Sequence, residues 1–289
     1  MRIGFHTDAF NSAAFSFEKC LKWAQSNDVH SIECGVIDGV SWIHGLGYFP
    51  HVSLLEDPVL MREKMARYGV SFSQIDAAYP LSGKDGPLFG VPYVLKTIPW
   101  AKLAGCPNIA TTDGLHKPEG LTDQQAMEAM KRSYGIILEV AEAYGININI
   151  EIHGYFTTNP EMLEKMLDFS KSDRLGLNFD TGNTFIAGND PVAFCKRFIS
   201  KIRHVHIKDV SKSLSEASRG KDKGIGISHS AVGDGVNAEN IRTILALLKN
   251  SNYCGTLSIE CEGQGGPLIE RSLNWLRETL KALDISEER

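Results

Sequence analysis

Short runs rich in β-branched residues alternate with longer amphipathic stretches along the whole chain. Eight of the short runs have the composition of buried strands: 3–7, 31–36, 70–77, 108–112, 147–153, 175–180, 204–209 and 256–262. Helical spacing of apolar residues marks eight intervening stretches: 16–28, 54–68, 91–104, 122–144, 160–171, 190–201, 238–250 and 267–282. Strict alternation of strand and helix implies parallel strands with right-handed crossovers. We therefore predict an α/β fold, a (β/α)8 TIM barrel that occupies residues 1–289 as a single domain.

Local signals support the helix boundaries. Thr122 with Gln125 three residues later has the pattern of a capping box, and Gly145 is a typical helix stop. Pro267 stands near the first turn of the last helix, where a missing N–H costs nothing. The alternative, a doubly wound open sheet, would normally carry a glycine-rich first turn. The first strand instead runs into Phe-His-Thr-Asp at residues 5–8, which favours the closed barrel.

Two connections, 37–53 and 210–236, are longer than the others and follow the carboxyl ends of strands. Barrel enzymes keep their sites on that face, and long loops there are often lids. The first loop is aromatic and includes Trp42, which could stack on a sugar face or pack within the loop. The second contains Arg219, a candidate clamp for an anion.

Composition narrows the classes of function. The 289 residues carry a formal net charge of −5, and 43% of them are hydrophobic, so a large core is expected and a basic nucleic-acid-binding face is not. The amino terminus reads directly into a strand without a signal-peptide pattern, and no apolar run approaches the roughly 20 residues of a membrane span. Six scattered cysteines without a CxxC pattern predict free thiols in a reducing cytoplasm.

Polar residues end the last four predicted strands, where a core would need apolar ones. Glu151, Asp180, His206 and Glu260 occupy corresponding positions, and alternation along a strand turns all four toward the barrel axis. One such residue is often only a helix cap or a solvated loop residue. Several carboxylates brought together at the ends of consecutive strands would repel one another unless protons or a cation neutralised them. Three carboxylates and an imidazole suit one divalent metal ion, with Mn²⁺ favoured over Co²⁺, Mg²⁺ or Zn²⁺.

These strand ends resemble those of the xylose isomerase-like TIM barrel superfamily, which includes sugar-phosphate isomerases and epimerases, ketose 3-epimerases, inosose dehydratases and endonuclease IV. The motifs are Glu-x-His at 151–153, Phe-Asp-x-Gly-Asn at 179–183, His-Val-His-Ile-Lys-Asp at 204–209 and Ser-Ile-Glu-Cys-Glu at 258–262. The resemblance implies that Glu151, Asp180, His206 and Glu260 bind the metal, and that Glu151 and Glu260 form an acid–base pair across the substrate. Many members carry His where this chain has Asn183, which can bind a hydroxyl but carries no charge.

Further strand-end residues are candidate substrate contacts, each with a structural alternative. Glu33 could bind substrate or pair inside the barrel mouth, and Lys208 could bind a substrate oxygen or neutralise Asp180 and Asp209. The candidates are His6, Glu33, Trp42, His153, Asn183, Lys208 and Arg219. The glycine-rich run before Pro267 also has the pattern of a phosphate-binding turn, or simply of a loop closure.

Four functions remain open from the sequence. The first is a metal-dependent sugar isomerase or epimerase, which forms an enediolate beside a carbonyl, and the second is a lyase or hydratase that eliminates from a 3-keto-glycoside or keto-inositol. An endonuclease IV-like repair enzyme would need further histidines at the ends of strands three and four, where the chain has Asp76 and Asp113. The last is a barrel that only binds sugar or a partner. The partners we expect are a small sugar and other copies of the chain, with no nucleic acid and no membrane.

Overall fold

The computed structural model describes residues 1–10, 16–38, 51–221, 225–263 and 265–288. Eight parallel strands form a closed barrel, in which each strand pairs with the next and the last pairs with the first. In chain order they are β1 (Arg2–His6), β2 (Ser31–Ile37), β3 (Ser71–Pro80), β4 (Asn108–Thr112), β5 (Asn147–Glu151), β6 (Leu175–Asp180), β7 (Ile202–Ile207) and β8 (Thr256–Ile259). A two-residue strand, Val52–Ser53, pairs with the end of β2. The predicted (β/α)8 barrel is confirmed, and the open doubly wound sheet was the wrong alternative.

Helices follow the strands and cover the outside of the barrel. They are α1 (Phe17–Ser26), α2 (Pro58–Arg67), α3 (Val91–Ala104), α4 (Asp123–Tyr144), α5 (Pro160–Leu167), α6 (Thr181–Ile186), α7 (Pro191–Phe198), α8 (Lys212–Ser218), α9 (Ala238–Asn250) and α10 (Pro267–Ala282). Thr122 and Gln125 form the predicted capping box, and Gly145 closes α4 at φ 68°, where a glycine costs least.

The side-chain alternation that the site depends on holds in the structure. Ile148 and Ile150 of β5 are fully buried in the hydrophobic core, which lies between the strands and the helices. Asn149 between them points into the barrel, where its amide donates to Gln74 Oε1 at 2.7 Å. Burying each such isoleucine contributes roughly 1.5–3 kcal/mol, so the core fixes the register that turns the polar residues inward.

Three predicted strands end earlier than expected. Strand β5 stops at Glu151, β7 at Ile207 and β8 at Ile259, although the sequence suggested 153, 209 and 262. Beyond these points the N–H groups of His153 and Lys208 donate to the hydroxyls of Thr157 and Thr181, whereas the N–H of Glu260 still donates to the carbonyl of Ile207. The predicted helix 160–171 ends at Leu167, and 190–201 becomes α7 and a 3₁₀ turn (Ile199–Lys201). The loop 210–236 contains α8, which the sequence did not predict.

The six cysteines are free, as predicted, and Cys254 is the exposed one. No helix in the described part of the chain is both long and apolar enough to cross a membrane. Trp42 and most of the first long loop lie outside the described residues.

Candidate metal centre

Acidic side chains are concentrated at one end of the barrel. Among the residues that the structure describes, nine Asp and Glu are buried, and each lies in or just after a barrel strand. They are Asp8, Glu33, Asp76, Asp113, Glu151, Asp180, Asp209, Glu260 and Glu262. Among the described residues, Lys208 is the one buried lysine or arginine. A buried carboxylate destabilises the folded protein unless a cation or N–H group compensates its charge, so each of the nine should have such a partner.

The four residues with metal-ligand chemistry come together as one group. Glu151, Asp180, His206 and Glu260 each offer one ligand atom, and these atoms all lie within 4.8 Å of one another. Nδ1 of His206 faces the three carboxylates, at 3.3 Å from Glu151 Oε1, 3.7 Å from Asp180 Oδ2 and 2.9 Å from Glu260 Oε2. Donors around one ion at about 2.1 Å lie at most about 4.2 Å apart, so small side-chain shifts are enough to coordinate it.

Two oxygen atoms of this group support the fit to a cation. Asp180 Oδ2 and Glu260 Oε2 are buried and share one imidazole nitrogen, Nδ1 of His206, at 3.7 Å and 2.9 Å. The other oxygen of Asp180 caps α6, accepting the N–H groups of Gly182 and Asn183 at 2.7 Å each, which fixes the direction of Oδ2. An uncompensated buried carboxylate oxygen is expensive, and a divalent ion between these atoms removes that cost. The residues present therefore fit one hard divalent cation.

The charges within the group raise the pKa values of His206 and Asp180. Burial lowers the pKa of His206, but the charges of Glu33, Glu260 and Glu151 outweigh burial and raise it well above its usual value. For Asp180, burial and the charge of Glu260 raise the pKa to about 7. Because a metal-binding imidazole must be neutral, the raised pKa of His206 predicts that metal binding releases a proton.

The second nitrogen of His206 is held from behind by Glu33. Nε2 of His206 donates to Glu33 Oε2 at 2.7 Å, and Gln74 Nε2 donates to Glu33 Oε1, also at 2.7 Å. Glu33 is fully buried. Such a carboxylate fixes the tautomer of a metal-binding imidazole, leaving Nδ1 free to coordinate. Of the two roles that the sequence left open for Glu33, the contacts favour pairing inside the barrel over substrate binding.

Replacing Glu33 with Gln should weaken metal binding roughly 10- to 100-fold, the range for outer partners of metal ligands. The amide keeps the shape but no longer selects the tautomer with a free Nδ1. The dissociation constant for Co²⁺ or Mn²⁺, measured by chelator competition, checks this. Glu278→Gln, on the exposed face of α10, makes the same change away from the site and should bind as the unaltered protein does. Equal affinity in Glu33→Gln would contradict the positioning role.

Lys208 lies between two carboxylates beyond β7 and β8. Its Nζ donates to Glu260 Oε1 at 2.9 Å and to Glu262 Oε1 at 2.6 Å. Burial raises the pKa of Glu260, but Lys208 and His206 outweigh it and hold that pKa well below its usual range. Asp209 is satisfied differently, because its carboxylate accepts backbone N–H groups of residues 210, 233, 235 and 237 at 2.8–3.0 Å. Asp209 therefore anchors the end of the long loop.

The other glutamate of the group has a different neighbour. His153 Nδ1 lies 3.5 Å from Glu151 Oε1, and its Nε2 lies 2.5 Å from Thr112 Oγ1. Burial raises the pKa of Glu151, but the charges of His153 and His206 outweigh it and lower the pKa to about 2. The loop that carries His153 is fixed by Asp113, which accepts the N–H of Phe156 at 2.7 Å. His153 is therefore held against Glu151.

Four further buried polar residues surround the group. His6 Nδ1 lies 3.1 Å from Asp8 Oδ1, just after β1. Asp76, in β3, has a pKa raised to about 8 by burial and by the charge of Glu151. Asn183 is 2% exposed, and its Oδ1 accepts no hydrogen bond. Asp8 and Asp76 were not predicted as site residues, and the position of Asp8 two residues after His6 was the available signal.

Arg219 is engaged outside the group. Its guanidinium lies 4.1 Å from the centre of the Phe185 ring, and it donates to the carbonyls of Phe185 at 3.2 Å and Asn189 at 3.4 Å. These contacts account for Arg219 as a residue that packs on α6. The proposed phosphate turn is also engaged, because the N–H groups of Gly263 and Gly265 donate to the carbonyls of Asp8 and Ala9.

Comparisons with known proteins agree with the barrel fold described above. The chain is 29% identical over 184 residues to inosose dehydratase 2 of Bacillus cereus (strain ZK / E33L), covering 62% of this chain and 52% of that protein. It thus spans about half the length of the curated relatives it matches. The structure of a D-tagatose 3-epimerase-like protein superposes with a TM-score of 0.77 at 20% identity, over 98% of both chains.

A second solved structure, the IOLI protein with a bound zinc atom, has a TM-score of 0.71 at 13% identity, again over 98% of both chains. At these identities the two structures are evidence for the fold alone. The family model described as xylose isomerase-like TIM barrel matches residues 32–279, which include seven of the eight strands. The chain belongs to the xylose isomerase-like TIM barrel family.

Proposed function

We propose that the protein is a divalent-metal-dependent sugar isomerase or epimerase that moves a proton on a carbon beside a carbonyl. The observation that carries this proposal is the group formed by Glu151, Asp180, His206 and Glu260, with ligand atoms within 4.8 Å of one another. Mn²⁺ is our first choice for the ion, and Co²⁺, Mg²⁺ and Zn²⁺ also suit three carboxylates and an imidazole. The relatives named above are the reason to propose a sugar as substrate.

The positions of the two glutamates support an acid–base pair. Glu151 extends from β5 and Glu260 follows β8, so they approach the group from different strands, and each is 7% exposed and open to a ligand from the mouth. One glutamate removes the proton from the carbon beside the carbonyl, and the other glutamate returns a proton to the opposite face of that carbon. A divalent ion here would stabilise the negative charge that develops on the substrate oxygens. Asp180 and His206 hold their positions throughout, through the α6 cap and Glu33.

A second candidate is β-elimination from a keto-inositol or 3-keto-glycoside. It begins with the same proton removal, after which a C=C bond forms to the adjacent carbon and the C–O bond at that carbon breaks. The departing oxygen takes up a proton and leaves as water from a keto-inositol or as the aglycone alcohol from a 3-keto-glycoside. The unequal surroundings of the two glutamates favour this reading. Glu260 contacts the Lys208 ammonium, whereas Glu151 contacts His153, and elimination needs a base and a different acid. The inosose dehydratases among the relatives point the same way.

Incubation with candidate ketoses, keto-inositols and 3-keto-glycosides in D₂O tests both reactions. Epimerisation predicts deuterium at the carbon beside the carbonyl, with inverted configuration and no loss of mass. Elimination predicts loss of water from a keto-inositol, or of the aglycone alcohol from a 3-keto-glycoside, and an unsaturated ketone that absorbs in the ultraviolet. Glu151→Gln and Glu260→Gln should each slow either reaction by at least roughly 100-fold, because general acid–base catalysis contributes about 10²–10⁴. Absence of exchange and of elimination across all these substrates would refute the proposed function.

A further inference from the structure

Buried acceptors without a donor remain at the mouth after the metal group is accounted for. Asp8 is 1% exposed; its Oδ1 pairs with His6 Nδ1 at 3.1 Å, whereas its Oδ2 is buried and accepts no hydrogen bond. Asp76 Oδ1 and Asn183 Oδ1 are likewise buried and accept none. A buried polar atom left unpaired is costly, so such atoms in a cleft need a donor from a ligand or from water.

These acceptors lie on different sides of the candidate metal group. A carboxylate oxygen of Asp8 lies within 4.8 Å of oxygen atoms of Glu260 and Glu262, which places it beside β8. Asp76 lies in β3 on the other side, where Glu151 acts on it electrostatically. A substrate that sits between Glu151 and Glu260 would therefore have a carboxylate with an unpaired oxygen near each of its flanks.

The charge of the mouth restricts which substrates can enter. Seven buried carboxyl groups lie around the candidate metal group in the described part of the chain, against one buried lysine, Lys208, and the buried histidines His6, His153 and His206, so acidic groups are in excess. A single divalent ion offsets only part of this excess. The remaining negative charge would repel a phosphate or carboxylate group of a substrate. Hydroxyl groups would instead donate hydrogen bonds to Asp8 Oδ2 and Asp76 Oδ1. The N–H groups of Gly263 and Gly265 are already used by carbonyls and are not offered to a phosphate.

We propose that Asp8 and Asp76 accept hydrogen bonds from hydroxyl groups of an uncharged, polyhydroxylated substrate, and that the site selects against phosphorylated sugars. This inference rests on the proposed function for the place of the substrate beside the metal group. Asn183 adds a neutral acceptor on the α6 side. Asp8 and Asp76 are then specificity-determining residues.

The test measures binding rather than turnover, by calorimetric titration of the full chain loaded with Mn²⁺. The probes are neutral ketohexoses, a neutral keto-inositol, a methyl 3-keto-glucoside and the 6-phosphates of the same ketohexoses. We expect at least one neutral probe to bind, and each 6-phosphate to bind at least tenfold more weakly than its parent. Asp8→Asn and Asp76→Asn should each weaken binding of the neutral probe roughly 10-fold, because an NH₂ group replaces one of the two acceptor oxygens and can leave a substrate hydroxyl without its partner.

Controls separate this result from damage to the metal group. Each variant must retain one equivalent of metal by elemental analysis, and Asp284→Asn, exposed beyond α10, should bind the neutral probe as the unaltered protein does. Tighter binding of a phosphorylated probe, unchanged affinity in both variants, or no binding of any neutral probe would overturn the inference. Binding with the expected dependence but without proton exchange or elimination would refute the proposed function and leave this inference standing.

Discussion

His206→Ala should abolish stable metal binding and, with it, catalysis. Nδ1 of His206 is the ligand atom that the three carboxylates face, at 2.9–3.7 Å. Loss of an outer partner of a metal ligand typically costs 10- to 100-fold in affinity, so loss of the ligand itself should cost at least roughly 100-fold. The three remaining carboxylates would then repel one another, with no imidazole among them. Elemental analysis after dialysis against a weak chelator measures the loss, with one equivalent expected in the unaltered protein.

A second variant guards against misfolding as the cause. The imidazole also contacts Glu33, so its removal disturbs a buried carboxylate as well. Glu260→Gln keeps the size of the side chain and its contact with Lys208, but it removes a charged ligand oxygen. Both variants should lose the metal while retaining the far-ultraviolet spectrum of the folded barrel, and His30→Ala, at a half-buried histidine away from the group, should lose neither. One equivalent of metal retained in both site variants would exclude this group as the metal site.

The barrel and the metal group were accessible from sequence because both depend on short-range rules. Alternation along one strand turns Glu151 inward once Ile148 and Ile150 face the core, and parallel strands bring such residues to one end. The same rule applied to β6, β7 and β8 placed Asp180, His206 and Glu260 beside Glu151. No knowledge of distant contacts was needed for that prediction.

The partners of these residues were not accessible, because they depend on closure of the barrel. Glu33 reaches His206 from a strand 173 positions away, and nothing local distinguishes that contact from a contact with substrate. Which of the nearby carboxylates Lys208 contacts depends on the path of the backbone after β7 and β8. Asp209 is satisfied by backbone N–H groups of a loop whose path the sequence does not specify. Local patterns thus predict which residues lie at the mouth of the barrel, whereas their hydrogen-bond partners depend on how the barrel closes.

Lys208→Met should destabilise metal-free protein by about 3–5 kcal/mol, the cost of leaving a buried partner charge uncompensated. The Nζ group is 1% exposed and contacts both Glu260 and Glu262, so a methionine of similar length leaves two buried carboxylates without their cation. Glu262 retains only the N–H of Ser228, at 2.9 Å from its Oε2. Urea unfolding of the chelated protein, monitored by circular dichroism, measures the difference.

The metal and a second substitution distinguish lost charge compensation from lost packing. Added Mn²⁺ should recover part of the stability in Lys208→Met, because an ion at the group compensates Glu260 directly. Glu262→Gln in the Lys208→Met background should recover a further part, because it removes the second unpaired charge, so the double variant should be less destabilised than the sum of the two single variants. Lys212→Met, at an exposed lysine of α8, should unfold close to the unaltered protein. Additive effects, with no response to Mn²⁺, would show that Lys208 acts through its packing and would remove the electrostatic basis for treating Glu151 and Glu260 as unequal.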